Sequence, residues 1–186
     1  MTEPIKREAA AREAAGPEPW LRGTLAEVPP VARAVLHALE LAKEDLQRWC
    51  GALTDAELNA RPAGLPPVSF HLRHIARSVD RLLTYAEGIE LTSEQIAAMK
   101  TEMNPGATHD QVFTELAAGL DRGASRVRAL AHCDLSETRA VGKKQLPASL
   151  GGLLVHVADH TQRHVGQAVT TAKIVLASRE RASWKS

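Results

Sequence analysis

The chain has 186 residues, 44% of them hydrophobic and 24% charged, a length and balance that suit one water-soluble domain with its own core. Lys plus Arg number 23 against 22 for Asp plus Glu, so the net charge of +1 gives no general pull toward nucleic acid, and the local Lys143-Lys144 pair is too small to supply one. No apolar run approaches the ~20 residues of a membrane span. The amino-terminal "MTEPIKREAAAREAAG" lacks the apolar segment of a signal peptide, so a cytoplasmic location is expected, with Cys50 and Cys133 as two free buried thiols.

Good helix formers recur throughout, and alternating β-branched stretches are missing. Residues 1–15 read as a polar helix or, with little to bury, equally as a frayed or loosely docked stretch, ended by Gly16, Pro17 and Pro19. Pro29 and Pro30 suit a first helical turn, and the spacing after them predicts a long helix over residues 29–52. Thr54 with Glu57 forms a capping box that opens a short helix, stopped at Arg61-Pro62. A second long helix runs from Ser69 to Glu87 and ends at Gly88. Thr92 with Gln95 opens a connecting helix to Met103, and Asn104-Pro105-Gly106 makes a turn. Thr108 with Gln111 caps a third long helix reaching Ala131. The stretch "CDLSETRAVGKKQLP" reads as a loop before a fourth long helix over residues 148–178. The expected fold is all-α, a four-helix bundle with long crossover connections and short connecting helices.

The fourth helix carries "HVADHTQRHVGQ", with His156, His160 and His164 at intervals of four. At roughly 100° per residue, Leu150, Leu153, Val157, Ala168 and Val175 form one apolar stripe. His160 and His164 fall near the middle of it, and His156 lies roughly 60° or more to one side. Two inward imidazoles one turn apart can chelate a divalent ion, and a third ligand from another helix would complete a typical open centre. The second helix offers His71 and His74. Its apolar arc is centred near Ile75, Val79 and Leu82, which favours His71 by a small margin, or neither.

The segments "HLRHIARSVDRLLTYAEG" and "LLVHVADHTQRHVGQ" together resemble the DinB/YfiT-like superfamily of metal-binding four-helix bundles. The similarity covers most of the chain from about residue 30 onward. In that family a histidine on the second helix joins a His-x-x-x-His pair on the last, which implies His74, His160 and His164 as the ligands here. The more specific half is the element His160, His164, Gly166, Gln167; the weaker half is "HIA-x-S" starting at His74. The resemblance divides the chain into an extension (1–26), a bundle domain (27–180) and a tail (181–186), and implies a homodimer.

Around that set, Gln167 reads as an outer partner of His164 or as a surface residue, His71 as a pocket-lining residue, and His156 as a border residue. Ser78 and Tyr85 share the His74 side of their helix, and residues 89–107 are expected to wall a pocket. Asp80 and Asp159 are expected on solvated faces or paired with arginines, and His37, His109 and His132 at the surface or at helix ends. Three neutral imidazoles leave an ion's positive charge available as a Lewis acid. Zinc is the default on ligand type, and nickel, iron and manganese also accept imidazole. The resemblance implies thiol-dependent S-transfer on a small molecule, with a low-molecular-weight thiol as partner. Metal-dependent hydrolysis and a non-catalytic, metal-stabilised stress-related module are the alternatives. No Glu-x-x-His pair of a di-iron bundle and no His-Glu-x-x-His signature is present.

Overall fold

The computed structural model describes residues 16–183; the expected polar helix over 1–15 and the last residues of the tail lie outside them. Helix α1 spans Pro30–Cys50, α2 Asp55–Leu58, α3 Val68–Ala86, α4 Ser93–Lys100, α5 His109–Leu130 and α6 Leu150–Ser183. A two-stranded antiparallel ribbon, β1 (Thr138–Val141) with β2 (Leu146–Ser149), precedes α6. The described chain is thus mostly helical with one small sheet. No helix in it is long and apolar enough to cross a membrane.

The helix starts follow from local chemistry. Thr54, Thr92 and Thr108 each accept a hydrogen bond from the backbone N–H three residues on, while the side chains of Glu57, Gln95 and Gln111 accept one from the threonine N–H. Pro30 opens α1, where a missing N–H costs nothing.

The four long helices close a ring around one core: α1 packs on α6, α6 on α3, α3 on α5 and α5 on α1. Leu46, Leu72, Ile75, Val79, Val112 and Leu154 are wholly buried at its centre. Two glycines let α5 approach α3. A methyl added at Gly119 would lie 2.8 Å from the Ala76 Cβ and 3.0 Å from its Cα, and one at Gly123 would lie 2.5 Å from Val79 Cγ1.

Three expectations are corrected here. The loop after α5 contains the ribbon, whose strands are short, mostly exposed and interrupted by Pro147, so neither alternation nor apolar run marked it. Cys50 is buried, which pushes its thiol up to about 12, but Cys133 is exposed beyond the end of α5. His37 is buried, not superficial: the segment before α1 folds over it and brings Thr24 Oγ1 to 3.1 Å from His37 Nε2. Arg22 fixes that segment by pairing with Glu40 and Glu44 of α1. His109, at the first position of α5, and exposed His132 lie where expected.

Gly119→Ala is expected to lower the urea midpoint, because overpacking a rigid contact costs about 1–3 kcal/mol and outweighs the ~1 kcal/mol that alanine gains over glycine in a helix. Gly166→Ala, on an exposed face of α6 with nothing within 4 Å of the added carbon, should raise it instead.

Candidate metal centre

The apolar stripe of α6 is as expected, with Leu150, Leu153, Val157, Ala168 and Val175 all buried. Its centre, however, holds Thr161, only 1% exposed, while His160 and His164 stand half-buried on the flank that faces α3. On α3 the more deeply buried histidine is His71, at 2% exposure. The one that meets the pair on α6 is nevertheless His74.

His74 Nε2 lies 2.9 Å from His160 Nε2. The His74 and His164 rings are 4.3 Å apart between centroids, and those of His160 and His164 4.7 Å. One nitrogen from each of the three falls within 4.8 Å of the others, so the three histidines are positioned to bind a single metal ion. His71 supports this group from behind, its Nδ1 sitting 3.1 Å from His164 Nδ1. Phe70 stacks on His74 at 5.3 Å and packs edge-on against His71 at 5.1 Å.

Glu102 holds the other side of His74. Its Oε2 is 2.7 Å from His74 Nδ1, and its Oε1 accepts from Arg81 Nη1 at 2.7 Å. Burial alone would raise the Glu102 carboxyl, but the hydrogen bonds from His74 and Arg81 outweigh it and keep the group below its usual value. An ionised carboxylate only accepts, so His74 carries its proton on Nδ1 and turns the Nε2 lone pair toward His160. This is the arrangement that metal-binding histidines commonly show, and the donor set fits a divalent transition ion. Glu102 was not among the residues singled out from sequence. It sits just past α4 in the crossover between α3 and α5, where no motif marks it.

Arginines at every fourth position of α3 clasp that crossover. Arg73 donates to the Asn104 carbonyl, Arg77 to the Ala98 carbonyl and Thr101 Oγ1, and Arg81 to Glu102. Together they bring Glu102 over His74.

The centre opens on a cavity of about 730 Å³ bounded by α3, the crossover, the ribbon and α6. Ser78 and Tyr85 line it, as does the 89–107 segment through Ile89, Ile96 and Met99. His156 stands exposed at its edge, its ring 5.4 Å from that of His160 and its Nδ1 3.7 Å from Asp159, outside the three-histidine group. Gln167 is exposed and makes no hydrogen bond to His164. Asp80 and Asp159 pair with Arg126 and Arg163.

A family model described as the DinB superfamily matches residues 38–168. No curated protein matches the chain.

Burial first, and then the neighbouring imidazoles, push His71, His160 and His164 down to about 4 from an ordinary 6.5. In the unfolded chain these groups take up protons below pH 6.5; in the folded chain they resist until about 4. The unfolded state therefore binds more protons across that window, and stability falls as pH falls through it. Metal-free protein should show a steady loss of Tm between pH 6.5 and 4 in a thermal melt series, and His71→Phe should flatten the slope. A Tm independent of pH over this range would contradict the neutral, buried state of the cluster.

Proposed function

The chain belongs to the DinB superfamily, and from that premise we propose a metal-dependent enzyme acting on a small molecule, with His74, His160 and His164 holding one divalent ion. The observation that carries this reading is the convergence of three imidazoles from two helices, two of which, His74 and His160, line a cavity large enough for a substrate. When bound, such an ion supplies Lewis acidity that lowers the pKa of a thiol or water in contact with it. Zinc is the favoured metal on ligand type, with nickel, iron and manganese as alternatives.

The protein's own residues divide the work. Glu102 sets the tautomer of His74, Arg81 neutralises Glu102, and His71 engages the outer nitrogen of His164. Glu102 is hydrogen-bonded at both oxygens and does not line the cavity, so this carboxylate orients His74 and is out of reach of a substrate proton. A reaction that needs little general-base help suits such a site. We therefore favour thiol-dependent S-transfer, with a low-molecular-weight thiol as cosubstrate, over hydrolysis. The same proposal reads the ring of long helices as the family's four-helix bundle spanning residues 27–180, and takes the protein as cytoplasmic and, on resemblance alone, as a homodimer. The location of the histidines on the α3–α6 seam favours one second reading, in which the ion only staples the two helices together in a non-catalytic module.

Elemental analysis of untagged protein should find roughly one equivalent of a transition metal. His74→Ala and His160→Ala should lose it and His71→Ala should keep most of it, while Glu102→Gln should weaken affinity by about 10–100-fold. Turnover of a thiol with a test electrophile should vanish in His160→Ala while the helical circular dichroism persists. A thiol-independent rate would favour hydrolysis. Loss of Tm on chelation with no turnover would favour the module, and absence of bound metal from the wild type would end both readings.

A further inference from the structure

The cavity beside the histidines is chemically two-sided. Leu82, Ile89, Ile96 and Met99 give it an apolar wall, while Arg81, Lys100 and Lys143 bring three cationic side chains to the same space. Lys100 and Lys143 form no ion pair with any described residue. Arg81 is the more telling. Only 9% exposed, it donates through Nη1 to Glu102, and its Nε and Nη2 have no acceptor in the described chain. Those two nitrogens are not sealed from solvent, so a ligand entering the cavity can take the place of water as their acceptor.

We propose that the substrate of this cavity is a small carboxylic acid with an apolar body, its carboxylate accepting from Arg81 and its body lying against Leu82, Ile96 and Met99. The inference rests on the reading of the cavity as the substrate site and adds the class of molecule it takes. With Nη1 held by Glu102, the Nε and Nη2 edge of Arg81 presents two parallel donors that match the two oxygens of one carboxylate. Lys100 and Lys143, at the end of α4 and in the turn after β1, add the longer-range attraction that draws an acid in. Two negative charges work against an acid, Glu102 bonded to Arg81 and Glu90 on the cavity wall, and the three cations outnumber them.

The test compares 4-phenylbutyrate with its uncharged amide, by titration calorimetry on chelator-treated protein, so that direct coordination of a carboxylate to metal plays no part. The acid should bind about tenfold more tightly than the amide, the range a charge-assisted hydrogen bond supplies, and its affinity should fall with added salt. Arg81→Gln should abolish the preference with the fold intact by circular dichroism, and Arg81→Lys should restore part of it. If Arg81→Gln does not fold, the wild-type comparison and Lys100→Ala, which should narrow the preference, still decide. Equal affinity for acid and amide, or binding of neither, overturns the proposal. A clear acid preference in a protein that takes up no metal would instead leave the binding class standing and remove the metal-dependent enzyme, so the two failures are distinguishable.

Discussion

An imidazole can offer a lone pair to a cation only while it is neutral, and a protein interior enforces neutrality by withholding water. The seam between α3 and α6 meets this condition without sealing the group away. His160 and His164 are buried enough to resist protonation yet only half-buried, and His160 lines the cavity with His74. Had they occupied the centre of the α6 stripe, where Thr161 lies, they would have been neutral and unreachable. The helix ring supplies the stiffness that holds this halfway position, and the glycine contacts between α5 and α3 set how closely α3 is held from behind.

Orientation is a separate problem from burial, and a chain of charges solves it. His74 would be free to present either nitrogen were it not for Glu102, and Glu102 would be an isolated buried anion without Arg81. Each member is tolerable only because of the next. The cost of burying the carboxylate is offset by two short hydrogen bonds, and what emerges at the end is one lone pair pointing the right way.

Most of the helical frame was legible in the sequence, since capping boxes and helix-period stripes are local signals. All three threonine boxes formed, and the long helices began within two residues of their expected starts. The site was legible only in part. Periodicity ranks histidines by depth and so prefers His71, yet a reachable centre takes the one nearer the border, and the family resemblance, not the spacing, pointed to His74. Glu102 left no trace because its role depends on where a crossover of some twenty residues comes to rest. The ribbon hid for a related reason: its pairing is fixed by the turn at Gly142–Gln145, with positive φ at both ends, and by the Arg139 contact to the Ala86 carbonyl, not by apolar alternation.

The arginine clasp on α3 has a bearing on how such a protein changes over generations. Two of its three arms grip main-chain carbonyls, at Asn104 and Ala98, which every amino acid possesses. Side chains at 96, 99 and 100 can therefore be exchanged without loosening the strap, and those same positions face the cavity. At those positions the lining of the cavity can drift without disturbing the scaffold; at Arg81, which holds Glu102 and lines the cavity at once, it cannot.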